Sequence, residues 1–243
     1  MCHSASITNE GRQVLPTNVK PHHYKLDLEP LFDTFKFNGD VAIQLSVEEE
    51  SNFVSLNTLE LELLATTLRL ASGDVVKPIE STYNDDDQST TFKFNETFKK
   101  GDELTLNIKF IGELNDKMAG FYRSSYEQDG ETKYLATTQM EPTDCRRAFP
   151  CFDEPNLKAK FTISLVGDKK LTYLSNMDVK NEETIDDTKK RVHFNTTPAM
   201  STYLVAFIVG DLKYIESDYK FRDIPVRVYT TPGFETDGRY SCE

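Results

Sequence analysis

The sequence is short of the residues that most site chemistry needs. Histidine occurs four times, as His3, His22, His23 and His193. A helical zinc pair needs two histidines four apart, so that both point one way. His22 and His23 are adjacent, and on a strand adjacent side chains face opposite sides. Four cysteines stand at 2, 145, 151 and 242. Their spacing fits no disulfide framework and reads as reduced thiols of a cytoplasmic protein. Cys145 and Cys151 are too far apart in sequence for a zinc knuckle, so no metal site is expected within the chain. Glycine is sparse, at 11 residues, and no Gly-rich run opens a helix to cradle phosphate. A Gly-x-Ser-x-Gly elbow is absent, and no cysteine pairs evidently with a histidine.

Other absences concern partners. The longest apolar run, Leu204 to Val209, is far short of the ~20 residues that span a bilayer, so no membrane is expected. Met1 to Ser6 lacks a basic segment followed by an apolar core, so no secretory signal is read there. Asn95-Glu96-Thr97 and Asn195-Thr196-Thr197 match glycosylation acceptors, and without a signal both are taken as chance. Basic residues number 28 against 40 acidic ones, for a net charge of −12. That balance excludes nucleic acid as the expected partner, because no basic patch is available to release phosphate counterions.

What is present is alternation. Tyr24, Leu26 and Leu28 alternate with polar neighbours, and so do Val41, Ile43, Leu45 and Val47. The same holds for Leu104, Leu106, Ile108 and Phe110, and for Phe161, Ile163 and Leu165. This period predicts strands with one buried and one wet face. Ser72-Gly73-Asp74, Asn84 to Asp87, Lys100-Gly101-Asp102 and Asp129-Gly130 punctuate them as turns. The fold class is therefore all-β, an antiparallel sandwich, and no long helix is predicted. Tyr203 to Val209 reads as a strand buried on both faces. At 243 residues the chain can bury roughly 70–75 % of its unfolded surface without help from metal or disulfide.

One segment stands apart, Thr138-Gln139-Met140-Glu141-Pro142-Thr143-Asp144-Cys145-Arg146-Arg147-Ala148-Phe149-Pro150-Cys151-Phe152-Asp153-Glu154-Pro155. It packs charges, prolines and aromatics between two strand patterns. On its residues alone it is either a solvated surface loop or a proline-stiffened loop that holds carboxylates in place.

The segment closely resembles the signature of the M1 (gluzincin) zinc aminopeptidases of the puromycin-sensitive and alanyl-aminopeptidase type. There a Thr-Gln-x-Glu stretch leads to Ala-Arg, Phe-Pro-Cys and Asp-Glu-Pro. Further matches follow in order: Pro21-x-x-Tyr24-x-Leu26-x-Leu28-x-Pro30, Phe37-x-Gly39, Gly120 to Ser124, Leu174 to Met177, Met200 to Phe207, and Val226 to Tyr229 with Pro232-Gly233. Cys145 stands where the family often has alanine.

The resemblance implies a saddle-like amino-terminal β-domain, residues 16–232, that packs on a thermolysin-like catalytic domain. Residues 1–15 are expected to be mobile, and 233–243 to be a truncated start of the catalytic domain. It implies removal of amino acids from the free amino terminus of peptides. The family's His-Glu-x-x-His zinc helix and Gly-x-Met-Glu-Asn loop do not occur in this sequence. No cofactor is then expected in this chain, zinc only in the parent enzyme, and no activity from the chain alone. Implied partners are the catalytic domain, in cis or in trans, and peptides with a free amino terminus. The implied substrate-binding residues are Glu141, which would bind the α-ammonium, Gln139, which would line the first side-chain pocket, and Met140 between them. Arg146, Arg147, Asp153 and Glu154 are expected to form an internal salt-bridge set, and a cis Glu141–Pro142 bond is expected. Two alternatives stand beside this reading: a free-standing peptide- or protein-binding module, and the remnant of a truncated gene.

Overall fold

The structure, a computed structural model, describes residues 14–242. The expected mobile segment 1–15, with Cys2 and His3, falls outside this range except for its last two residues. Of these Leu15 is buried, and its N–H donates to Glu154 Oε1 at 2.6 Å, so it belongs to the fold.

The strands are β1 (Val19–Leu31), β2 (Lys36–Val47), β3 (Ser51–Asn57), β4 (Leu61–Arg69), β5 (Val75–Val76), β6 (Glu80–Asn84), β7 (Ser89–Phe98), β8 (Glu103–Glu113), β9 (Gly120–Gln128) and β10 (Glu131–Gln139). After the signature loop come β11 (Lys160–Asp168), β12 (Thr172–Ser175), β13 (Val179–Thr184), β14 (Lys189–Phe194), β15 (Phe207–Gly210), β16 (Lys213–Phe221) and β17 (Ile224–Thr230). Alternation decides which face each strand buries. Tyr24, Leu26 and Leu28 of β1 point inward with Val41, Ile43 and Leu45 of β2 and Leu106 and Ile108 of β8. The charged neighbours between them, such as Asp27 and Lys109, lie on the other face, where Arg191 Nε of β14 meets Asp27 Oδ2 at 2.8 Å.

These strands form an eight-stranded sheet in the order β13-β14-β11-β1-β2-β8-β4-β5. Across its inner face lie a three-stranded sheet, β3-β7-β6, and a four-stranded sheet, β12-β15-β10-β9, that share one hydrophobic core with it. Phe37 on β2 meets Phe121 on β9 edge-on at 5.1 Å, and Phe121 meets Phe207 on β15 at 4.8 Å. The all-β class is as expected, with one exception in strand direction: β1 and β11 pair in parallel. The β9–β10 hairpin turns on Asp129 and Gly130, both with positive φ (53° and 78°), which is the two-residue turn whose twist suits a hairpin.

The reading of Tyr203 to Val209 as one strand is corrected. Thr202–Leu204 forms a 3₁₀ turn, Leu204 and Ala206 are exposed, and only Phe207–Gly210 is strand. Ser201 Oγ donates to Pro155 O at 2.6 Å and Thr202 Oγ1 to Asp153 Oδ1 at 2.7 Å. Those bonds hold the chain in a turn that apolar content alone would not predict.

β16 and β17 form a separate hairpin closed by Tyr214 against Tyr229, with ring centroids 5.2 Å apart. The 3₁₀ turn Glu235–Gly238 and the short helix α1 (Arg239–Cys242) fold back on it. No helix among the described residues is long and apolar enough to cross a membrane.

Candidate functional site

β10 delivers the signature loop. Its last residue, Gln139, pairs with Gly120 on β9. Gly120 has a φ of +68°, and a Cβ there would stand 2.6 Å from the Cβ of Arg147. The missing side chain lets the loop lie down on the sheet. Past β10 the backbone keeps its alternation for two more residues. Gln139 and Glu141 turn to solvent, and Met140 between them is 1 % exposed and packed in the core. The Glu141–Pro142 bond is cis. Asp144 N–H then returns to Met140 O at 2.9 Å and closes the turn.

The rest of the loop is bolted to the core. Phe149 packs edge-on against Tyr24 and Phe161. Cys151 exchanges two main-chain hydrogen bonds with Asn57, of 2.8 and 3.1 Å. Phe152 N–H donates to the Tyr24 hydroxyl at 3.1 Å, and Asp153 N–H to Asn57 Oδ1 at 3.1 Å. The Asp153 carboxylate is buried and takes Arg146 Nε at 3.1 Å and the Thr202 hydroxyl at 2.7 Å. Arg146 also donates to Gln88 Oε1 at 3.0 Å. The anticipated salt-bridge set is half right. Arg146 pairs with Asp153, but Arg147 reaches Asp144, at 2.8 Å, and Glu60. Glu154 meets no arginine and accepts the Leu15 N–H instead.

Against this fixed frame Glu141 is free. Among the described residues its carboxylate makes no hydrogen bond or ion pair, and neither does the Gln139 side chain. Glu141 lines a cleft of about 340 Å³ with Pro142, Asp153, Pro155, Thr202 and Tyr203. Asp153 is 4 % exposed with both oxygens engaged, so Glu141 is the cleft's available anion. Two prolines and a tyrosine ring give it apolar walls. Such a place suits a cation carried on an apolar group: the charge pairs with the carboxylate and the hydrocarbon packs on the walls. The side chain of Met140 faces away, so that residue offers a ligand only its main chain. Sequence reasoning did not place Thr202 and Tyr203 here. The signal was the Met200 to Phe207 block, whose polar Ser201 and Thr202 are buried beside the loop. A wider groove of about 780 Å³ lies elsewhere, but Lys36, Glu60, Glu62, Asp85 and Glu113 stand exposed around it and no charged group converges inward.

A hydrolytic zinc, implied for a whole enzyme by the resemblance, does not fit the described residues of this chain. Such an ion needs three protein ligands and one open position. His23 bonds Thr162 Oγ1 at 2.7 Å, His193 bonds Ser164 Oγ at 2.8 Å, and His22 lies 4.0 Å from Glu103. These histidines stand apart, each with its own partner. Cys145, Cys151 and Asp153 do come together, but all three are buried and leave no open position for water.

Comparison with known proteins identifies the family. Residues 20–204 match the family described as the Peptidase M1 N-terminal domain. "Aminopeptidase 2" of Candida albicans is 55 % identical over 239 residues, covering 98 % of this chain and 25 % of that protein. "Aminopeptidase 2, mitochondrial" of Saccharomyces cerevisiae is 55 % identical over 239 residues, covering 96 % of this chain and 24 % of that protein. "Puromycin-sensitive aminopeptidase" of Caenorhabditis elegans is 42 % identical over 231 residues, covering 94 % and 24 %. The chain thus spans about a quarter of the length of the curated relatives it matches.

Proposed function

Because the chain belongs to the M1 peptidase family, as its amino-terminal domain, we propose that it supplies the amine anchor of a zinc aminopeptidase. Glu141 binds the α-ammonium of a peptide, and Gln139 lines the pocket for the first side chain. The observation that carries this reading is the unpartnered Glu141 carboxylate on a loop whose other carboxylates, Asp144, Asp153 and Glu154, are all bonded, facing a cleft with apolar walls.

The chemistry follows from charge and distance. An ammonium paired with Glu141 stops the peptide at a fixed depth, so that its first peptide bond, and no later one, meets the hydrolytic machinery. An acylated amine or an internal residue lacks the charge and is refused. The rigid frame matters because an anchor that moved would lose this measurement. Glu141 is exposed in the isolated domain; a catalytic domain seated over the cleft desolvates it and strengthens the pair. Leu204, half-exposed beside Tyr203, offers that partner an apolar contact. Hydrolysis itself belongs to the catalytic domain. The free thiols Cys145, Cys151 and Cys242 support a reducing, cytoplasmic setting.

The test is kinetic, on the enzyme in which this domain is joined to its catalytic domain. Leaving one member of a desolvated ion pair unmatched costs ~3–5 kcal/mol, so Glu141→Ala lowers kcat/KM by about two to four decades. A loss under about fivefold would refute the role. Gln139→Ala shifts the relative rates for different first residues by about tenfold without a comparable loss on all of them.

A further inference from the structure

The signature loop also gathers three side chains that amine binding does not use. Cys145 Sγ, Cys151 Sγ and a carboxylate oxygen of Asp153 lie within 4.8 Å of one another, all buried. Their spacing along the chain argued against a shared ion, and the fold removes that objection. The 3₁₀ turn at Cys145–Arg147 reverses the chain, with Ala148 and Phe149 N–H groups both donating to Cys145 O at 2.9 and 3.1 Å. Cys151 is then held in place by Asn57. We propose that Cys145, Cys151 and Asp153 bind one thiophilic divalent cation of the zinc class, as a buried structural site.

Donor type makes the first argument. Two sulfurs and one oxygen suit a borderline-soft ion and not calcium or magnesium, which take oxygen. Distance makes the second. Ligands bonded tetrahedrally to zinc stand about 3.5–3.8 Å apart, and the three atoms here lie within 4.8 Å of one another. Charge makes the third. Arg146 already balances Asp153. A divalent ion that displaces one proton from each thiol leaves the buried charge unchanged, whereas a monovalent ion displacing both would leave an uncompensated negative charge. The balance is one M²⁺ and two thiols giving a bis-thiolate complex and two protons.

The surroundings are those of an oriented site. Arg146 Nε and the Thr202 hydroxyl fix the Asp153 carboxylate, as outer partners do for metal-binding carboxylates. The Tyr24 hydroxyl accepts the Phe152 N–H and so fixes the chain between Cys151 and Asp153. An ion bound as a bis-thiolate complex releases the two thiol protons when it binds.

Cobalt(II) titration of the reduced, metal-free 243-residue chain tests this. The expected result is one equivalent bound with an intense near-ultraviolet thiolate–cobalt band, two protons released, and the band abolished by zinc. The core cysteines need not be touched to assign it. The Cys2→Ala/Cys242→Ala variant keeps the full band, because the remaining thiols are Cys145 and Cys151. Absence of the band at saturating cobalt overturns the proposal. So does its loss in that variant, or a protein isolated two hydrogens lighter with Cys145 and Cys151 joined as a disulfide.

Discussion

Gly39 and Gly112 each stand opposite a phenylalanine whose ring occupies the place of the missing side chain. The cross-strand partners are Gly39 with Phe110 and Phe37 with Gly112. A Cβ at Gly112 would stand 2.1 Å from the Phe37 ring, and one at Gly39 2.2 Å from the Phe110 ring. Both rings are buried and cannot swing to solvent. Gly112→Ala should therefore destabilise the domain by about 1–3 kcal/mol through overpacking, read as a lower urea midpoint. An unchanged midpoint would mean the rings have room. At this scale the candidate site was partly legible. Gln139 and Glu141 stood out because the segment is dense in proline and charge, and the family resemblance assigned their roles. The partners of Arg147 were not legible, because Glu60 lies on another strand's approach and no local pattern joins them. The meeting of Cys145 with Cys151 was hidden for a related reason: spacing along a chain says nothing about a loop that turns back on itself.

Elements meet at groups whose protons report the contact. Tyr173 on β12 is 5 % exposed, and its hydroxyl donates to Asp168 O at the end of β11 at 2.8 Å. Burial first, then the charges of Asp168 and Glu182, push its ionisation well above that of a free tyrosine. The unfolded chain loses this proton near pH ~10. The group's contribution to stability is fully present below that pH and is lost as pH rises toward the folded value. Wild type should exceed Tyr173→Phe by ~1 kcal/mol at neutral pH, from the hydrogen bond. Above pH ~10 that margin should shrink, by at most ~1.4 kcal/mol per pH unit. Urea unfolding at neutral and alkaline pH checks this, and a constant margin would contradict it. Strand existence was readable from alternation, because one face of each sheet is wet. Strand direction was not, since a period of two is the same for parallel and antiparallel neighbours, and the β1–β11 pair went unforeseen. The 3₁₀ turn at Thr202–Leu204 escaped because apolar content there masks two buried hydroxyls bonded to the signature loop.

At the scale of the molecule, three sheets on one core hold a stiff loop, and the loop presents one free carboxylate. The β16–β17 hairpin adds little to that core, and an isolated hairpin is marginal in water. Its Tyr219 and Ile224 side chains are exposed. The proposed function assigns hydrolysis to the catalytic domain, so the chain assayed alone should not release amino acids from aminoacyl anilides, with or without added zinc. Turnover that follows the purified chain would contradict the division of labour.

The central claim is that Glu141 reads the charge of the amine. The most direct measurement compares kcat/KM for wild-type enzyme and Glu141→Ala on two substrates, an aminoacyl amide and its des-amino analogue. A loss of about two to four decades on the amine, with less than about a fivefold change on the analogue, is the predicted result. Equal losses on both would mean that Glu141 supports the structure of the site without contacting the ammonium, and the account would fail.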